Sequence, residues 1–182
     1  MSTMVKKHMV ALYAKPRDSL VRVCKSTAFD LNMNPQTKEY DYIADEVPTT
    51  ELDRYSPSLN QALTMYKGEP DFEALKGKFY NLAVGSEAKV PVLIVFFYEP
   101  LDTDDMGSAK VFRAMYAPNA VMVINNYNSV ESTLTFDLHF NGGLQSGHAA
   151  YEDGVPSFTE GEYEAPAGGG SDPDPSDPGT GD

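Results

Sequence analysis

Three histidines, one cysteine and one tight acidic run are the side chains here that most invite a chemical reading. His8, His139 and His148 lie far apart in the chain. None has the close spacing, or the helical i, i+4 partner, that a metal site needs. Cys24, flanked by Val23 and Lys25, carries no local signature of a nucleophile and reads as a small buried side chain. The run Asp-Thr-Asp-Asp at 102–105 suggests calcium, but it lacks the glycine and terminal glutamate of a helical calcium loop and reads as a solvated hairpin tip. The chain contains no G-x-S-x-G, G-x-x-x-x-G-K-[ST] or G-x-G-x-x-G, the spacings that build a nucleophile elbow or cradle phosphates. The expectation is a protein without enzymatic activity, metal or cofactor.

Composition narrows the class further. The 182 residues are 41% hydrophobic and 11% aromatic, enough to bury a core, so wholesale disorder is not expected. Acids outnumber Lys and Arg by 27 to 14, which argues against a protein that grips nucleic acid by releasing counterions from phosphates. A single cysteine cannot form an internal disulfide. The first residues, MSTMVKKHMVALYAKPR, are too interrupted by charge for a signal-peptide apolar region. The longest apolar run, Val90 to Tyr98, is far short of the roughly 20 residues that cross a bilayer. These features describe a soluble acidic domain made in a reducing compartment. Charge is unevenly placed: Glu152 to Asp182 holds nine acids, no Lys or Arg, five prolines and seven glycines. That segment has little to bury and repels itself. We therefore expect a folded domain over 1–151 and a flexible acidic Gly/Pro-rich tail over 152–182, with Phe158 and Tyr163 able to dock on the body.

Most of the body reads as strands. His8 to Ala14 and Leu20 to Ser26 are short apolar runs separated by the turn-like Lys-Pro-Arg-Asp. Lys38 to Ile43 places Tyr40 and Tyr42 on one face and Glu39 and Asp41 on the other; Glu51 and Asp53 repeat the two-residue spacing on a second arm. Pro57 interrupts that arm by removing a donor, and Leu59 to Met65 resumes it. Strands 38–44 and 50–66 would thus make a long projecting hairpin, poor in apolar surface. One helix is expected, from about Pro70 to Val84. Pro70 suits its first position, acids at 69, 71 and 73 favour its N-terminal end, and Gly85 stops it. Phe72, Leu75, Phe79 and Leu82 recur at steps of 3, 4 and 3 and form its packing stripe. Gly77 inside it costs about 1 kcal/mol against alanine, so the helix depends on packing against a sheet. Further strands fit Lys89–Glu99, Ala109–Tyr116, Ala120–Asn126 and Ser129–Phe140, with a turn at Gly142–Gly143 and a last strand over Leu144–Tyr151. The apolar run at 91–98 belongs at the centre of a sheet. Leu134, Phe136, Leu138 and Phe140 alternate with Thr133, Thr135, Asp137 and His139, the mark of a half-buried strand. The sum is a mainly β fold, a sandwich or half-barrel with one flanking helix.

The block NPQTKEYDYIADEVPTTELDRYSPSLNQALTMYKGEPDF at 34–72, followed by a helix, VLIVFFYEP and VESTLTFDLHFNGG, resembles the major tail tube proteins of long-tailed, sheathless bacteriophages and related prophages. The resemblance covers roughly residues 8–150 and omits the acidic tail. It implies a structural virion protein of the tail, assembled in the host cytoplasm. Its hexameric rings would stack into a hollow tube with a closed inner β-barrel, through which DNA passes into the host without specific binding. It also implies contacts with further copies, a tape measure protein, a tail terminator and distal tail proteins, and none with a membrane. On that reading Glu39, Asp41, Glu51 and Asp53 are candidates to line the channel, because ringed carboxylates repel a phosphate backbone over about 8–10 Å at physiological salt. The loop of Asp45, Glu46, Val47, Pro48 and Thr49 would meet the next ring. An external acidic tail would hold finished tubes apart by charge. The alternative reading is a monomeric β-sandwich binding module or decoration protein on a virion surface.

Overall fold

A computed structural model of the chain describes residues 4–44, 46–103 and 109–165. Its centre is the apolar run foreseen for a sheet interior. β7 (Val92–Thr103) lies between β1 (Val10–Ala14) and β8 (Ala109–Ala117), all antiparallel. The six-stranded sheet is completed by β2 (Val21–Arg22) beyond β1, and by β11 (Gln145–Glu152) and β12 (Val155–Glu160) beyond β8. Alternate residues of β7 leave on opposite faces. Val92 and Ile94 join the main core, while Leu93 and Val95 join a second cluster with Ala11, Tyr13, Ala114 and Ala149. A strand apolar on both sides needs cover on both sides.

The main core is closed by a second, four-stranded antiparallel sheet in the order β3 (Asp30–Asn32), β6 (Ser58–Thr64), β10 (Thr133–Phe140), β9 (Ala120–Asn128). The period-two reading of β10 holds: Leu134, Phe136, Leu138 and Phe140 are all buried. Gln61 also points into this core. Its Nε2 donates to the Asn60 carbonyl at 2.9 Å, but its buried Oε1 has no partner among the described residues. α1 (Pro70–Tyr80) covers one flank, burying Leu75 and half-burying Phe72 and Phe79.

Several expectations need correction. The helix ends at Tyr80, not Val84, because Asn81 caps it and Leu82 turns to φ 45°. Leu82 therefore leaves the stripe and stands 78% exposed. Cys24 is exposed rather than buried; what is held there is its backbone, whose N–H donates to Asp71. The long hairpin is shorter than expected. β4 (Pro35–Tyr40) pairs only with β5 (Thr49–Tyr55), and the chain then passes Pro57 into β6 of a different sheet. The proposed boundary at 151 falls inside a hairpin, since β12 pairs with β11 from Gly147↔Glu160 to Glu152↔Val155. Acidic composition concealed a strand whose Phe158 packs on the second cluster and whose Pro156 is buried. Residues 166–182, the rest of the expected tail, lie outside the described residues.

Candidate assembly surfaces

The β4–β5 hairpin forms its own two-stranded sheet, and every residue of β5 is exposed. Its register separates the four candidate acids. Lys38 lies opposite Glu51, and Glu39 opposite Thr50. Directly paired residues of antiparallel strands share a face, so Glu51 stands with Lys38 and Glu39 on the other side. A bulge follows Gln36, giving β5 an extra residue at Asp53. The Asp53 carboxylate meets Lys38 Nζ at 2.7 Å and Arg54 at 2.6 Å. The hydrogen bond from Lys38 leads the causes that hold its pKa below the usual carboxylate value. Asp41 lies just past the end of β4, between Tyr40 and Tyr42, whose rings stack at 5.6 Å. The hairpin is thus not one acidic wall: Glu51 and Asp53 share a side with two cations, and Glu39 is opposite. In the connecting loop Glu46, Val47, Pro48 and Thr49 are exposed; Asp45 lies outside the described residues. Ile43 and Val47 are among the most exposed apolar side chains of the chain.

A second surface went unread in the sequence. The strands β3, β6, β9 and β10 contain no Lys or Arg. Their solvent side carries Asn, Thr, Asp30, Asp137 and His139, with Val121 opposite His139 and Val123 opposite Asp137. Asn32 Nδ2 donates to Asn60 Oδ1 at 2.8 Å, Asn60 Nδ2 to Asp137 Oδ1 at 2.7 Å, and Asn125 Nδ2 to Asp137 Oδ2 at 2.8 Å. These bonds run across all four strands. Asn125 takes part because β9 bulges there, Asn126 facing Thr135 and Ile124 facing Phe136. The available signal was the absence of bases from segments rich in Asn and Thr.

β9 is the edge of this sheet. Among the described residues only its first have a neighbour on the open side, through a Lys89↔Val121 bridge and a bond from Val90 N–H to the Ala120 carbonyl. Beside that edge, a groove of about 550 Å³ runs between β9 and the end of α1, lined by Phe79, Leu82, Val84, Val123, Ile124 and Tyr127 among others. Phe79 and Tyr127 stack at 4.7 Å across its floor. Lys78 is the one charged residue in its lining.

The remaining chemical candidates are dispersed. His8 sits on a short 3-10 turn (Lys7–Met9), His139 on the solvent side of β10, and His148 edge-on to Tyr163 at 5.2 Å. Tyr163 donates to Asp102 at 2.5 Å, a bond that raises the phenol's pKa. Asp104 and Asp105 lie outside the described residues. Among the described residues no three His, Cys, Asp or Glu side chains gather as metal ligands, and no helix is long and apolar enough to cross a membrane.

No family model and no curated protein matches the chain. Among solved structures it is similar to a chain in the extended sheath/tube terminator of the extracellular contractile injection system PVC. That match has 11% identity and a TM-score of 0.47, covering 76% of this chain and 94% of the other. It is also similar to a chain in the tube-terminating cap of the anti-feeding prophage, with 13% identity, a TM-score of 0.45, and coverage of 77% and 89%. A third likeness is to a chain of the extended PVC sheath–tube complex, at 11% identity and a TM-score of 0.42, with coverage of 81% and 93%. At these values the likeness by itself says nothing about what this chain does.

Proposed function

We propose that this chain is a structural subunit of a phage-tail tube, and more narrowly the major tube subunit of a long-tailed phage or prophage. Copies join through the edges of the four-stranded sheet and close it into a ring, six copies by the family resemblance. Rings stack, and the solvent side of that sheet becomes the wall of a channel for DNA. The observation that carries this reading is the complete absence of Lys and Arg from the four strands, on a sheet that ends in the open edge of β9. The open edge of β9 beyond Val121 is a template for another chain. A wall of amides, hydroxyls, carboxylates and the two valines Val121 and Val123, with Lys89 only at its margin beside Val121, offers a phosphate backbone little to displace its counterions.

The hairpin acids then belong to the rim. Glu51 and Asp53 can face the channel together, with Glu39 and Asp41 turned to the neighbouring subunit or ring. By the same resemblance, the ends of the tube are contacted by a terminator, distal tail proteins and a tape measure protein. Negative-stain microscopy and light scattering of the purified full chain test the reading. Rings or tubes that grow with concentration are expected; a compact monomer at every concentration would overturn it.

A further inference from the structure

The β4–β5 hairpin and the groove beside β9 are two exposed apolar surfaces at opposite ends of one sheet. The hairpin is rooted between β3 and β6, and the order β3-β6-β10-β9 puts the groove at the far edge. A two-stranded hairpin alone is marginally stable in water. This one nevertheless carries Tyr42, Ile43, Val47, Leu52 and Tyr55 in the open. The groove leaves Leu82 and Val84, and to a lesser extent Val123 and Tyr127, exposed as well. Charge agrees with shape. Lys38 and Arg54 are both engaged by Asp53, so the hairpin charges without an ion pair among the described residues are acids, Glu39, Asp41, Glu46 and Glu51. The groove's one charged lining residue is Lys78.

We propose that the groove between α1 and β9 receives the apolar tip of the hairpin, Ile43 and Val47, from a second copy of this chain. The proposal rests on the reading of the chain as a polymerising subunit and names the contact that joins its copies. The six residues of β4 extend about 20 Å, a reach on the scale of the distance between neighbouring copies. The contact is head-to-tail: each copy gives a hairpin and receives one. Such a contact closes into a ring or runs on as a filament, and does not stop at a dimer.

The test uses the full chain with Cys24→Ser, which removes the native thiol, and single cysteines placed by Val47→Cys or Val123→Cys. Under mild oxidation a mixture of the two single-cysteine proteins should form disulfide-linked heterodimers. Neither protein alone should do so to a comparable extent, and the double variant should give a ladder of multimers. Adding Ile43→Asp to the double variant should leave its thermal midpoint unchanged and lower the ladder's yield about tenfold, the effect of roughly 1.4 kcal/mol of lost association. Rings or tubes without the cross-link would overturn this contact and leave the tube reading intact. Cross-linked multimers that never form rings or tubes would uphold the contact and overturn the tube. Cross-linking within one chain only would overturn the contact.

Discussion

Asp71 opens the helix in sequence but works as a strut between elements. It is buried, and its Oδ2 accepts the N–H groups of Cys24 at 3.0 Å and Lys25 at 2.9 Å, while Oδ1 accepts Phe72 N–H at 2.8 Å. The N-terminal acids were legible as partners of the helix dipole; that one of them binds a segment 46 residues away was not. Asp71→Ala leaves donors without partners, and we expect a loss of about 3 kcal/mol in urea unfolding. Asp71→Asn, which keeps an acceptor oxygen, should lose clearly less. Gln61 is the opposite case. Gln61 shares its face of β6 with buried Leu59 and Leu63 and pairs with Phe136, and its Oε1, without a partner among the described residues, bears a desolvation cost with no return. Gln61→Met should raise stability by about 1 kcal/mol in the same measurement.

Among the elements, β12 shows most clearly what composition conceals. With Asp153–Gly154 before it, Pro156 within it and Glu160, Glu162 and Glu164 at and after its end, β12 resembles linker, yet it pairs along six residues with β11. The pairing requires Gly147 to have no side chain. A Cβ there would stand 2.1 Å from the Thr159 carbonyl oxygen and 2.8 Å from the Phe158 ring. Gly147→Ala should therefore displace β12, costing about 1–3 kcal/mol and accelerating amide exchange across Val155–Glu160 while β7 stays protected. The helix illustrates the converse. Its existence and its Leu75 anchor were visible in the spacing, but its end was not, because nothing in a 3-4-3 apolar pattern forbids another turn. Asn81 and the left-handed Leu82 decide that.

For the whole molecule, the consequence lies in the side of the four-stranded sheet that faces away from the core. If copies close that face around a channel, a cation introduced there acts on whatever passes through. His139 is exposed on that side of β10, so His139→Arg should fold normally. Assembled variant tubes should retain linear duplex DNA at about 50 mM salt and release it by about 200 mM, as counterion release requires. Closed circular DNA, which cannot thread, should not be retained. Tubes of the unaltered chain should retain neither. Equal retention of circular and linear DNA would place the face outside.

The alternation in β10, the central position of β7, the helix and the turn at Gly142–Gly143 were determined by the sequence alone, because each follows from periodicity or backbone stereochemistry within a few residues. The partition of strands into three sheets, the division of the hairpin acids by a bulge, the burial of Asp71 and the docking of β12 were decided only in the tertiary structure. Each depends on which distant segment lies alongside, and local periodicity carries no information about that.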